Sequence, residues 1–263
     1  MKKSTQPSRE ERVRENLKQL KLHKVADIFP EYTRQATQGQ IGYLEYLDHL
    51  VAEEAAYRHE RMVQYRISAA RVPVQKILAD YDFSHPTRIN KQKILDLFDL
   101  SFIERKANVV FVGPTGVGKT HLSIALAYAA CQANLSVRFT TAIAMVNYLT
   151  ASLADSSFHV KLKQYTRPRL LVIDELGYLP IDRKGADLIF QVVSNRYEQG
   201  SIILTTNRPF KQWGTVMNQD NTLASAMIDR LGHHAEIVVI EGKSYRMKGK
   251  EKEGDNNVKA EQK

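Results

Sequence analysis

The most constraining feature of this sequence is the run Gly-Pro-Thr-Gly-Val-Gly-Lys-Thr at residues 113–120. It matches the pattern G-x-x-x-x-G-K-[ST] at every fixed position. The apolar segment Val109–Val112 lies directly before it, and an amphipathic pattern over His121–Ala133 follows it. A strand, a glycine-rich turn and a helix in this order form a loop that holds nucleotide phosphates. The run therefore predicts an α/β P-loop fold; the alternative is a glycine-rich turn without a ligand.

Each residue type in the run has a chemical role. The glycines let the backbone turn so that N–H groups point at phosphate oxygens. Lys119 is predicted to reach the β- and γ-phosphates, and the Thr120 hydroxyl to bind Mg²⁺. The helix that begins near His121 adds its positive dipole end. We therefore predict ATP and Mg²⁺ as cofactors, with the nucleotide held by Gly113, Pro114, Thr115, Gly116, Val117, Gly118, Lys119, Thr120 and His121.

Two further segments carry candidate catalytic groups. The apolar segment Leu170–Asp174 ends in Asp174 and Glu175. Asp174 is suited to hold Mg²⁺ through water, and Glu175 to polarise water for attack on the γ-phosphate; capping of the next turn is the alternative. If the segment Ser201–Thr205 lies between the other two strands, the nearby Asn207 is predicted to face the γ-phosphate and to position the attacking water. These groups, with Lys119, predict ATP hydrolysis.

Short apolar strands alternate with helices from residue 89 onward. Their continuous apolar character is typical of strands covered by helices on both faces of a mostly parallel sheet. The predicted strands are Val109–Val112, Val137–Thr140, Leu170–Asp174, Ser201–Thr205 and Glu236–Ile240.

The first part of the chain has a different, all-helical pattern. Ser8 and Glu11 have the spacing of a capping box, and Pro73 ends or kinks a later helical stretch. We predict a small helical domain for DNA or partner binding at 1–72, a connector at 73–88, the ATPase domain at 89–246 and a basic, disordered tail at 247–263.

Positive charge is concentrated at the two ends of the chain, whose net charge is +9. Eight lysines and arginines against three glutamates give residues 1–24 a net charge of +5, and residues 243–263 carry +3. Basic terminal segments commonly contact phosphate backbones, although solvated ends have the same composition. We predict DNA contacts at Arg9, Arg12, Arg14 and Lys18.

Cysteine content and hydropathy predict a cytoplasmic protein. Cys131 is the single cysteine, so no intrachain disulfide is possible, and its helical setting predicts a small buried residue. No run approaches 18 consecutive apolar residues, and no apolar segment of a secretory signal follows the first lysines. We expect no membrane association.

The order of phosphate loop, Asp-Glu strand and Thr-Thr-Asn strand resembles the sensor arrangement of AAA+ ATPases. Further segments of note are Phe102–Arg105, Gly113–Leu122, Val172–Tyr178, Ser201–Phe210 and Ala226–Leu231. With these segments, the sequence resembles the IstB-type helper ATPases of insertion sequences, which are related to DnaC-like helicase loaders. This resemblance implies an ATP-dependent homo-oligomer that assembles on double-stranded DNA and recruits or activates a DNA transposase.

The resemblance also assigns roles to two arginines. Arg230 matches the finger that reaches a neighbour's ATP; a surface arginine paired with Asp229 is the alternative, and Arg196 is a rival finger. Arg246 matches the second-sensor arginine or is a DNA contact. The chain departs from the broader AAA+ pattern because only twenty residues follow Lys243, too few for a C-terminal helical lid.

Other readings of the sequence stay open. A helicase loader on single-stranded DNA is the main alternative, followed by a small-molecule P-loop kinase and a nucleotide-dependent scaffold. Trp213 is expected to pack with its neighbours, and Tyr81 either to contact adenine or to pack. The pair His233–His234 has no acid at ligand spacing, so we predict no metal site there.

Overall fold

The computed structural model describes residues 8–247. By internal contacts the chain divides into two compact units, Met1–Tyr65 and Arg66–Lys263. The α-helices are α1 (Arg9–Gln19), α2 (His23–Thr37), α3 (Tyr43–Ala70), α4 (Lys91–Leu97), α5 (Ser101–Glu104), α6 (Lys119–Gln132), α7 (Ala142–Ala154), α8 (Phe158–Thr166), α9 (Arg183–Arg196), α10 (Trp213–Val216) and α11 (Asn221–Gly232). The strands are β1 (Asn108–Val112), β2 (Val137–Thr141), β3 (Leu170–Leu176), β4 (Ser201–Thr206) and β5 (Ala235–Val239).

The N-terminal unit begins with the predicted capping box. Glu11 N donates to Ser8 Oγ at 3.1 Å and Ser8 N donates to Glu11 Oε2 at 2.6 Å, which satisfies two free backbone donors of α1. Val25, Phe29 and Leu50 form a small buried core among the helices. The capping prediction is confirmed.

The long helix α3 crosses the limit between the two units. It ends at Ala70, ahead of Pro73, as the sequence predicts. Ala70 is fully buried and packs in the core of the second unit, which explains why the limit lies inside the helix rather than in the connector.

The second unit contains a five-stranded parallel sheet in the order β2-β3-β4-β1-β5. All five predicted strands are present, and β4 lies between β3 and β1, the position on which the prediction for Asn207 depends. Helix α6 begins at Lys119, two residues before the predicted start, because Gly118 in the left-handed region already serves as its N-cap.

Apolar side chains cover both faces of this sheet. Leu171 and Ile173 of β3 join a core cluster with α7 and α9, whereas Leu170 and Val172 join a second cluster with α6. Because alternate residues face two different cores, β3 is apolar from Leu170 to Ile173. Cys131 is buried, as predicted. No helix between residues 8 and 247 combines the length and apolar character needed to span a bilayer.

Candidate nucleotide site

The loop between β1 and α6 borders a cavity of about 480 Å³. Backbone atoms of neighbouring segments lie close to it: Gly113 N donates to Thr206 O at 3.2 Å, and Tyr245 N donates to Gly116 O at 2.9 Å. The predicted site residues that line the cavity are Thr115, Gly116, Val117, Gly118, Lys119, Thr120, His121, Glu175 and Arg246. Gly113, Pro114, Asp174, Asn207 and Arg230 do not line it.

Two glycines of the loop have backbone angles and surroundings that exclude side chains. Gly116 has φ +84° and Gly118 has φ +94°. A Cβ atom on Gly116 would lie 2.1 Å from Ser244 Oγ, and one on Gly118 would lie 2.4 Å from Tyr81 Cε2. The glycines therefore allow residues on two sides to close on the phosphate loop.

The ammonium group of Lys119 lies inside this loop. Its Nζ donates to the carbonyl oxygens of Gly113 at 2.8 Å and Pro114 at 2.7 Å, and the residue is only 4% exposed. Burial lowers the pKa of Lys119 to about 8; the charge of Arg246 acts in the same direction, while Asp174 and Glu175 oppose it. A cation held in a buried loop is suited to anionic phosphates.

Thr120 and Asp174 form a compact oxygen cluster beside the loop. Thr120 Oγ1 lies 3.0 Å from both carboxylate oxygens of Asp174, which is 3% exposed. Thr205 Oγ1 donates to Asp174 Oδ1 from the neighbouring strand. Hydroxyl and carboxylate oxygens are the ligands that Mg²⁺ prefers, so these residues fit the metal.

Glu175 occupies a bulge of β3. The register runs from Ile173 opposite Leu204 to Leu176 opposite Thr206, so two residues of β3 face one residue of β4. Glu175 has φ +64°, and its carboxylate side chain is exposed and lines the cavity. The bulge therefore places a buried and an exposed carboxylate next to each other.

A family model described as IstB-like ATP binding protein matches residues 15–253. The chain belongs to this family. It is 40% identical over 233 residues to a relative from Bacillus thuringiensis subsp. berliner that is named as an ATP-binding protein of insertion sequence IS232, covering 89% of this chain and 93% of the relative. It is 37% identical over 240 residues to a similarly named protein of insertion sequence IS5376 from Geobacillus stearothermophilus, covering 91% and 95%.

Among solved structures, the crystal structure of DnaI is similar to this chain, with a TM-score of 0.55 and 20% sequence identity. The similarity covers 63% of this chain and 91% of that chain. It shows the fold: the IstB-like chain shares the α/β core of that structure.

Asn207 lies at the end of β4 in the IstB-like site. Thr206, the residue before it, accepts the hydrogen bond from Gly113 N, so Asn207 follows directly on a contact with the phosphate loop. Its Oδ1 atom is buried and accepts no hydrogen bond from residues 8–247. Its role toward the attacking water stays a prediction.

The structure places two tyrosines, Tyr81 and Tyr178, beside the predicted site residues. Tyr81 OH donates to Val117 O at 2.9 Å, and burial raises the pKa of Tyr81 to about 12, which keeps this donor protonated. The Tyr178 ring centroid lies 5.7 Å from Lys119 Nζ. The sequence leaves Tyr81 open between adenine contact and packing, and gives no signal for Tyr178. Trp213 is fully buried and packs as predicted.

Arg196 is excluded as an arginine finger. It is 1% exposed, and its guanidinium donates hydrogen bonds to backbone carbonyl oxygens. A side chain held in this way stabilises its own subunit and is not free to reach a neighbour. The acceptors are the carbonyl oxygens of Tyr165, Thr166, Pro168, Arg169 and Ser201.

Arg230 lies at the opposite edge of the sheet from the phosphate loop. Leu231 O accepts from Asn108 Nδ2 at 3.0 Å, and Asn108 is the first residue of β1, whereas the loop follows its last residue. Arg230 donates to Ala226 O at 3.1 Å and lies over the Phe190 ring at 4.7 Å. It is therefore remote from the nucleotide cavity of its own subunit.

The residues predicted to contact DNA lie on α1. Arg14 is paired with Glu10 at 3.0 Å and Lys18 with Glu15 at 3.5 Å. Arg9 and Arg12 are exposed and have no salt bridge within the described residues. Half of this basic set is thus partly neutralised within the helix. The basic tail lies outside the described residues, apart from its first residue, Met247.

The fold supplies an acid that sequence spacing does not. Glu198 lies beside His233 and His234, with one possible ligand atom from each within 4.8 Å of the others. All three residues are exposed. The sequence has no acid at ligand spacing from the two histidines, but the fold brings Glu198, which follows α9, close to both. The reason given for predicting no metal site is therefore wrong. The cluster alone assigns no ion to this surface.

Proposed function

We propose that this IstB-like protein is a Mg²⁺-dependent AAA+ ATPase that assembles on double-stranded DNA with ATP and recruits or activates a DNA transposase. The hydrolytic part of the proposal rests on the contact between Thr120 and Asp174 beside Lys119 and Glu175. The transposase part rests on relatives that are named for insertion sequences.

Different residues would bind the phosphates and the metal ion of the nucleotide. Loop N–H groups and Lys119 hold the phosphates, and Thr120 with Asp174 holds Mg²⁺. Mg²⁺, when bound, supplies positive charge against the phosphate oxygens. Glu175 accepts the proton of the attacking water, and Asn207 orients that water.

Arg230 acts in this scheme on the nucleotide of a neighbouring subunit. Its position at the amino edge of the sheet keeps it from the phosphates of its own subunit, which lie at the carboxyl edge. An arginine supplied across an interface stabilises negative charge in the transition state. ATP would then bind between subunits, and hydrolysis would require assembly.

The DNA part of the function depends on phosphate contacts. Exposed arginines of α1 are suited to sequence-independent contacts with the phosphate backbone of DNA. Recognition of single-stranded DNA instead would indicate a helicase loader, the runner-up function. The choice between duplex and single strand therefore tests the proposal directly.

One experiment tests the nucleotide and DNA parts of the proposal together. The full chain is passed through gel filtration with ATP, ADP or no nucleotide, with and without duplex or single-stranded DNA, and phosphate release is measured in parallel. We expect ATP to produce larger assemblies on duplex DNA and Lys119→Ala to abolish them. Preference for single strands, or nucleotide affinity of Lys119→Ala within about threefold of the wild type, would contradict the proposal.

A further inference from the structure

The bulge of β3 removes one backbone donor from the regular sheet ladder. Because Asp174 and Glu175 together face Thr205, the N–H of Glu175 has no carbonyl in register on β4. This N–H donates instead to the side chain of Thr205, with 2.9 Å between Glu175 N and Thr205 Oγ1. A side-chain hydroxyl therefore takes the place of a backbone acceptor where the chain enters the left-handed region.

The same hydroxyl also contacts the other carboxylate. Thr205 Oγ1 donates its proton to Asp174 Oδ1, and Thr205 is fully buried. A hydroxyl has one proton to donate and two lone pairs with which to accept. With Glu175 N–H donating to it and Asp174 accepting from it, the polarity of this bridge is fixed.

We propose that Thr205 is the positioning residue for both carboxylates of the ATPase site. It holds Asp174 so that both carboxylate oxygens lie at 3.0 Å from Thr120, and it holds the backbone conformation that directs Glu175 into the cavity. Thr205 itself does not line the cavity, and it contacts Glu175 only through the backbone N–H and Asp174 through the carboxylate that would hold Mg²⁺. The inference rests on the proposed ATP hydrolysis.

Three variants test this role. Thr205→Val keeps the shape of the side chain and removes the hydroxyl, whereas Thr205→Ser keeps the hydroxyl. Thr140→Val is the matched control, because Thr140 of β2 is also buried but its Oγ1 donates to Thr141 O at 3.1 Å and contacts neither carboxylate. All three are compared with the wild type in kcat, ATP affinity, Mg²⁺ dependence and melting temperature.

We expect Thr205→Val to lower kcat by roughly 10²-fold or more, the scale of a misplaced general base. It should also raise the Mg²⁺ concentration needed for half-maximal rate, while ATP affinity stays within about threefold. Thr205→Ser should recover most of the loss, and Thr140→Val should keep the wild-type kcat. Equal losses in Thr205→Val and Thr140→Val would show a merely structural effect and overturn the proposal.

A double-mutant cycle with Glu175→Gln gives the decisive comparison. If Thr205 acts on kcat through Glu175, the double variant Thr205→Val with Glu175→Gln should have a kcat less than about threefold below that of Glu175→Gln alone, measured at saturating Mg²⁺. Independent, multiplicative losses would overturn the proposal.

The controls keep failure of the positioning role distinct from failure of the proposed function. A wild-type chain without hydrolysis would refute the ATPase itself, whereas an active wild type with an active Thr205→Val refutes only the positioning role. If Thr205→Val does not fold, Thr205→Ala is compared with Thr140→Ala in the same assays.

Discussion

Lys119 shows how one buried residue makes nucleotide binding depend on pH. Its pKa is lowered to about 8, chiefly by burial, so the free protein loses this positive charge as the pH rises above that value. Phosphates favour the charged form and raise the pKa again on binding. Binding of ATP above pH 8 therefore requires uptake of a proton.

We expect the ATP affinity of the wild type to fall by roughly tenfold or more between pH 7.5 and 9.5, since Lys119 is neutral in most free molecules at the higher pH. Lys119→Arg is the matched control, because its guanidinium keeps its charge throughout this range. Titration calorimetry measures both. An equal fall in the two proteins would contradict the assignment of the titration to Lys119.

A substitution at Glu175 should separate nucleotide binding from ATP hydrolysis. Glu175→Gln keeps the size of the side chain and removes the base, while Thr120 and Asp174 remain to hold Mg²⁺. We expect a loss of 10²–10⁴-fold in the rate of phosphate release, the usual contribution of a general base. ATP-dependent assemblies on DNA should persist in gel filtration. A wild-type rate would remove Glu175 from this role.

At the scale of elements, the basic residues of helix α1 that are predicted to contact DNA differ in their acidic neighbours. Exposed i,i+3 and i,i+4 ion pairs stabilise little, but they place an acid beside Arg14 and Lys18. Arg9 and Arg12 lack such a partner within residues 8–247. The two pairs of basic residues therefore differ in the charge they offer to a phosphate backbone.

We expect Arg9→Gln with Arg12→Gln to weaken duplex binding across sequences and to reduce the salt slope of log K by up to about 1.8, near 0.9 for each lost contact. Arg14→Gln with Lys18→Gln serves as the comparison and should reduce the slope less. ATP hydrolysis without DNA should not change. An unaltered affinity and slope in all four substitutions would move the DNA site away from α1.

The elements also show what the sequence can and cannot predict. The strands are predictable because both faces of the sheet interior are covered, which makes the inner strands largely apolar, although the edge strands β2 and β5 carry Arg138 and Glu236. The bulge at Glu175 is not, since a non-glycine residue with φ +64° leaves no compositional signal. The approach of Glu198 to His233 is equally hidden, because it arises from the packing of distant elements. For the same reason, spacing alone gives no hint of Thr205 as a partner of two carboxylates.

At the scale of the whole molecule, the proposed function requires more than one subunit. Arg230 and the phosphate loop lie at opposite edges of one sheet. In the proposed assembly, each subunit would offer an arginine to one neighbour and a nucleotide to another. Such a head-to-tail interface forms a ring if the rotation closes and a filament if it does not.

We expect Arg230→Ala to retain ATP binding and to lose most hydrolysis, since an arginine supplied in trans can contribute 10³–10⁵ in rate. Mixing Arg230→Ala with Lys119→Ala should restore partial activity, because Lys119→Ala subunits still present Arg230 to a competent site. Phosphate release is measured on mixtures shown by gel filtration to co-assemble. Absence of rescue in such mixtures would place Arg230 in a role within its own subunit.

The hydrogen bond from Tyr81 to Val117 has a thermodynamic consequence for the connector. It joins a segment that leads back to α3 with the loop that holds the nucleotide. If ATP binds more tightly when this hydrogen bond is present, a ligand that shifts Tyr81 away from the loop would weaken ATP binding, and by linkage ATP would weaken the binding of that ligand by the same factor. The connector would then transmit nucleotide occupancy in both directions.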